Sequence, residues 1–223
     1  MKTVSKPIML LLLCVFLSAC ATKRPQEDVF EVSLSSHNVV VGEVQAQFLR
    51  PVVTSLRADN ITVLYFPAED AVCLQYRADF IQYHQFWSRD GRQAFIKALE
   101  QYNADFEARN LVNNMRSRQR YGSVEGFLVW QANNLAVQAR GNMNVDLGYS
   151  FRERVPYFSI NQGRAEYINP NIRQNDRTST LIPIFFTRSQ AAQLAEMFDQ
   201  FNLQQVVMPE AAAPPPTVQR DAF

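Results

Sequence analysis

Between residues 30 and 160 apolar and polar positions alternate along most of the chain, and three-to-four spacing takes over in two places. Alternation sends successive side chains to opposite faces, so each alternating stretch predicts a strand with one face turned inward. Phe30, Val32 and Leu34, then residues 39–41, and then Val44, Ala46 and Phe48 predict a first hairpin with Gly42 as its turn. Residues 61–66 form an apolar run stopped by Pro67, and Val72, Leu74, Tyr76, Ala78 and Phe80 alternate with Cys73, Gln75, Arg77 and Asp79. Ala68, Glu69 and Asp70 supply a tight connection between these two strands.

Residues 124–130, 135–140, 145–151 and 155–160 repeat the pattern, separated by Asn133-Asn134, Gly141-Asn142 and Glu153 and followed by Gly163. Short strands punctuated by turn residues predict an antiparallel meander. Residues 181–186 add one more strand, and Pro183, which lacks a backbone donor, predicts an edge position for it.

The period changes at Phe95, Leu99, Tyr102 and Phe106, which predicts a helix over about 90–109 with Asp90 able to cap it. A second helix is predicted over about 188–202. Thr187 and Gln190 form a capping box, Phe186 can staple to Ala191, and Leu194, Ala195 and Phe198 keep the spacing. Strands in a meander with two amphipathic helices predict an α+β domain, mainly antiparallel sheet with both helices packed on one face. That domain is expected to occupy residues 31–208. Residues 209–223, rich in Pro and Ala, are expected to be a disordered tail.

The amino terminus follows a different order. Lys2 and Lys6 precede an apolar run over 8–17, which ends in Leu17-Ser18-Ala19-Cys20. A run that short covers only about half of the roughly 20 residues a helix needs to cross a bilayer, so it reads as a cleaved signal. Its last four residues resemble the lipobox of bacterial lipoproteins. The resemblance implies removal of residues 1–19, lipidation of Cys20 and further acylation of the new amino group. More than one acyl chain anchors a protein stably. Residues 20–30, polar and without apolar period, would be the tether. Ala21 stands where an Asp marks inner-membrane retention in such lipoproteins, which points to the outer membrane if the cell has two.

Composition narrows the function classes. The chain carries 22 Lys and Arg against 21 Asp and Glu, and loss of Lys2 and Lys6 leaves 20 against the same 21. A near-neutral domain lacks the basic excess that nucleic-acid binding requires. Of three cysteines, Cys14 leaves with the signal and Cys20 is the lipid site, which leaves Cys73 without a partner for a disulfide.

Candidate chemistry is sparse. His37 and His84 stand far apart without clustered ligands, so neither metal nor cofactor is implied, and no nucleophile elbow or phosphate loop is present. Cys73 sits in an apolar strand and reads as packed; Glu69-Asp70 reads as a turn. Tyr65, Tyr76, Tyr83, Phe86 and Trp87, and again Tyr149, Phe151, Tyr157 and Phe158, can either pack a core or line a pocket. Arg116, Arg118 and Arg120 alternate with polar residues, and in an extended chain would form a strip able to touch an anionic surface. The reading that follows is an envelope lipoprotein, held to the membrane through acylated Cys20, with a non-enzymatic domain that binds an envelope partner or scaffolds an assembly. The alternative is a carrier for a small apolar ligand held between helices and sheet.

Overall fold

The computed structural model describes residues 32–49, 55–78, 81–131, 138–166 and 178–207; the signal, the lipidation site and the expected tail lie outside the described residues. The strands are β1 Val39–Leu49, β2 Leu56–Phe66, β3 Ala71–Ala78, β4 Ile81–Trp87, β5 Ser123–Gln131, β6 Gln138–Arg152, β7 Val155–Gln162 and β8 Ile182–Phe186. Each pairs antiparallel with the next, and β8 pairs with β1. The sheet is therefore a closed eight-stranded barrel, not the open meander that the alternation predicts. Local alternation is identical in the two architectures. What separates them is the short seam Gln47↔Phe185 and Phe48↔Ile184, which begins just past Pro183. Pro183 is thus tolerated in a strand paired on both sides, because the β1 seam leaves its nitrogen unclaimed.

Two glycines read as turns lie inside strands instead. Gly42 accompanies a register shift in β1, so residues 39–49 form one bulged strand rather than a hairpin. Gly141 lies within β6, where an added Cβ would meet the Glu166 carbonyl oxygen at 2.5 Å. Close backbone approach, not a turn, is what requires glycine there.

The helices are α1 Arg89–Glu107, a 3-10 helix Met115–Gln119, α2 Arg188–Phe198 and α3 Gln200–Val207. Ser88, not Asp90, caps α1, its hydroxyl accepting from the Gly91 amide at 3.2 Å. The capping box of Thr187 and Gln190 is present at the start of α2. The single helix expected there is two, because Asp199 is extended and its carboxylate accepts from the amides of Phe201 and Asn202, starting α3. Phe201 consequently points outward and is 66% exposed.

In a meander, the β4–β5 connection and the chain leaving β8 emerge from the same end of the barrel. Helices α1 and α2 therefore seat on that mouth rather than on a sheet face. Phe95 of α1 meets Phe158 of β7 at 5.3 Å between ring centroids, and Phe198 of α2 meets Trp87 of β4 at 5.4 Å and Phe95 at 5.0 Å. These rings join the inward side chains of every strand in one core. A barrel of eight strands is narrow enough for side chains to fill it. The outward positions of β1 and β6, such as Glu43, Gln45, Arg140, Asn142 and Asn144, are polar and exposed. On these two strands, inside apolar and outside polar is the reverse of an outer-membrane barrel wall.

A second cluster lies on the outer wall. Phe66, Cys73, Phe86 and Phe127 of β2–β5 are buried there under Val32 and Leu34. Residues 32–38, the first of the expected strands in part, thus form a strap across the barrel, and Ser36 Oγ donates to Glu69 at its far end.

Candidate functional site

The wall opposite the strap is organised around Gly148 of β6. An added Cβ at this position would lie 2.2 Å from the Ser117 carbonyl oxygen, so the 3-10 helix rests directly on the strand. Asn114 caps that helix by accepting from the Arg116 amide at 2.9 Å, and Asn161 of β7 donates to the Arg118 carbonyl at 3.1 Å. Upstream, the Tyr149 hydroxyl both accepts from the Val112 amide and donates to its carbonyl, each at 3.0 Å. The linker is pinned before it crosses the barrel rim.

Between the 3-10 helix and the end of β6 a groove of about 480 Å³ remains, lined by Asn113, Asn114, Ser117, Arg118, Ser150, Phe151 and Arg152. Ser150 and Arg152 alternate onto the same side of β6. The Ser150 hydroxyl and Arg152 Nε are buried without a hydrogen-bond partner. The Arg152 guanidinium stacks 4.8 Å from the Phe185 ring centroid. Burial, and then the nearby Arg118 charge, pull the Arg152 pKa below its ordinary value.

The arginine strip expected from the sequence does not form as drawn. A 3-10 turn holds three residues, so Arg116, Arg118 and Arg120 leave the helix in three directions. Arg118 lines the groove, Arg116 is exposed, and Arg120 pairs with Asp105 at 3.3 Å. Sequence reasoning missed Ser150 and Arg152 because they stand among ordinary strand residues. Ser150 and Arg152 on the outward parity of an alternating strand were the available signal.

Other candidates fall elsewhere. Cys73 is fully buried in the outer-wall cluster, and burial pushes its thiol pKa well up. Glu69 and Asp70 do form a turn, with Asp70 at φ 47°, but Asp70 is also the centre of a network. Arg92, 1% exposed, donates to its carbonyl at 2.7 Å and its carboxylate at 2.8 Å, and Arg89 meets the other carboxylate oxygen at 2.7 Å. Arg92 also reaches Gln200 of α3, so this network ties the β2–β3 turn to the helical mouth. His37 is exposed; His84 is half-buried, which lowers its pKa. Among the described residues no three metal-ligating side chains come together.

Of the aromatic groups, Tyr65, Tyr76, Tyr83, Trp87, Tyr149 and Phe158 lie in the barrel core, Phe151 packs at its edge, and Phe86 belongs to the outer wall. The bore also holds Tyr76, whose hydroxyl bonds Gln162, and Gln85, whose amide nitrogen is unpartnered.

A family model described as an uncharacterised Treponema protein matches residues 36–205, which span all eight strands and both mouth helices. The chain belongs to that family. The groove, the Asp70 network and the seam that closes the barrel all fall inside the family's matched region. No curated protein matches the chain. No solved structure matches it either.

Proposed function

We propose that this family member is a bacterial envelope lipoprotein, anchored through acylated Cys20, that works by holding a partner in its wall groove and not by catalysis. One observation carries the binding reading. Enclosed polar atoms without partners, Ser150 Oγ and Arg152 Nε, face a groove of ligand size on an otherwise well-paired wall. Leaving such atoms unpaired costs about 1–3 kcal/mol each, which a bound partner would recover. The lipobox resemblance supports the anchor, and the polar outward wall supports a domain that stands beside the membrane rather than within it.

The carrier reading has one such atom, Trp87 Nε1, but it lies among packed rings. Between helices and sheet, where the apolar ligand would sit, Trp87, Phe95 and Phe198 are in mutual ring contact and Phe158 packs against Phe95.

Photo-crosslinking in the native envelope tests the binding reading. A crosslinkable residue replacing Asn113, exposed at the groove rim, should give an adduct of discrete mass. The same residue replacing Arg57, exposed on β2, should give none. Adducts at neither position, or equally at both, would remove the groove as the binding site.

A further inference from the structure

Three described arginines are withdrawn from open solvent: Arg92, Arg152 and Arg188. Arg92 meets Asp70, and Arg188 meets Glu107 at 2.9 Å. Among the described residues Arg152 meets no carboxylate. It shares the groove with a second guanidinium, Arg118, which also has no carboxylate partner among the described residues. Arg118 is exposed and Arg152 half-buried, so water screens their repulsion only in part, and an anion between them would relieve the rest.

Resting on the reading of the groove as the binding site, we propose that it holds the phosphoryl group of a soluble ligand, clamped between Arg118 and Arg152. The donor set decides the class. Each guanidinium offers several N–H groups in a planar fork, Ser150 adds an unclaimed hydroxyl, and the Asn113 amide stands at the rim. One carboxylate is satisfied by one fork, whereas two forks and a hydroxyl match the oxygens of a phosphoryl dianion. About 480 Å³ leaves room for the rest of a phosphate ester, and Phe151 gives that remainder an apolar wall.

The source follows from where the chain arrives. Residues 32–38 come onto the barrel across β2–β5, while the groove lies away from them, between β6 and the 3-10 helix that Asn161 of β7 holds. A domain tethered by its strap wall turns the groove away from the anchoring bilayer, toward soluble ligands and away from that bilayer's headgroups.

Calorimetric titration of the full lipidated chain in neutral detergent micelles, at constant ionic strength, tests this with phenyl phosphate as probe. The expected result is saturable binding at one site, weakened tenfold or more by Arg152→Gln and by Arg118→Gln and a few-fold by Ser150→Ala. Arg116→Gln, an exposed residue outside the groove, should leave it unchanged, and thermal melting confirms that each variant is folded. Absence of saturable binding by the wild type, or an equal loss in Arg116→Gln, overturns the proposal. Benzoate binding as tightly as phenyl phosphate would overturn the phosphoryl class. Phosphatidate added to the micelles and displacing phenyl phosphate at lower concentration would overturn the soluble source. A crosslink from position 113 that persists when phenyl phosphate fails would leave the groove standing as a binding site and remove the phosphoryl group alone.

Discussion

Gly148→Ala should be among the most damaging single-methyl additions in this barrel. The new Cβ would stand 2.2 Å from the Ser117 carbonyl oxygen and 2.4 and 2.5 Å from the carbonyl carbon and oxygen of Arg118. These are backbone atoms, so no side-chain rotation relieves the clash; the 3-10 helix must lift from β6. Lifting it endangers three hydrogen bonds: Asn161 to the Arg118 carbonyl at 3.1 Å, the Tyr121 amide to Leu147 at 3.0 Å, and the Leu147 amide to Gly122 at 2.9 Å. At about 1 kcal/mol net per bond the loss reaches roughly 3 kcal/mol. Alanine's smaller unfolded-state entropy returns about 0.4–1 kcal/mol. The expected cost is about 2–3 kcal/mol, in the upper part of the range for overpacked sites. Gly42→Ala is the matched control, since its Cβ would meet only the end of the Met197 side chain, its methyl at 2.8 Å, which can swing aside. That change should stay within about 1 kcal/mol of zero. Urea unfolding with unchanged m-values measures both. Equal midpoints for the two variants would refute the seating of the 3-10 helix on β6, and with it the groove.

Phe198→Ala, which removes a ring 1% exposed between Trp87 and Phe95, should cost about 3–5 kcal/mol, against about 0.5–2 for Thr187→Ala at the α2 cap; the reverse order in urea unfolding would contradict the packing of the mouth. Burial raises the Asp70 carboxyl pKa, but Arg92, then the Tyr65 hydroxyl and Arg89, outweigh it and hold the folded value below the unfolded one. Its contribution is therefore fully present above the unfolded value, about pH 4, and drains as pH falls through the folded value. Asp70→Asn should cost about 3 kcal/mol at neutral pH by leaving Arg92 without its counter-charge, and stability curves of wild type and variant should converge in acid; parallel curves would show that Asp70 does not carry the pH dependence. Cys20→Ser should move the protein out of the detergent phase, because a hydroxyl cannot take a thioether-linked lipid, and unchanged partitioning would remove the anchor.

Strand positions were readable wherever alternation ran clean, as in β3 and β7, and so was the capping box at Thr187, whose signal is contained in a few consecutive residues. The closure of the barrel was not. It depends on a seam of two residue pairs between β1 and β8, separated by most of the chain, and no local pattern encodes it. Gly42 and Gly141 misled for a related reason: a glycine that admits a bulge or a crossing backbone looks the same in sequence as one that makes a turn. The groove was half legible. Arg118 stood out by its spacing with Arg116 and Arg120, but the 3-10 helix dissolves that spacing, and Ser150 and Arg152 become notable only once their polar atoms are seen to be enclosed and unpaired.

The proposed function requires a barrel that is filled and binds on its wall, not in its bore. Trp87 and Trp130, 1% and 2% exposed, report on the bore, and the amides of Arg118, Ser150 and Arg152 report on the groove. NMR spectra of the isotope-labelled chain, titrated with 2-naphthol as a neutral apolar probe and separately with phenyl phosphate, read both places at once. The expected result is indole signals that do not respond to naphthol and groove amides that shift with phenyl phosphate. Indole signals that shift with naphthol while the groove stays silent would contradict it.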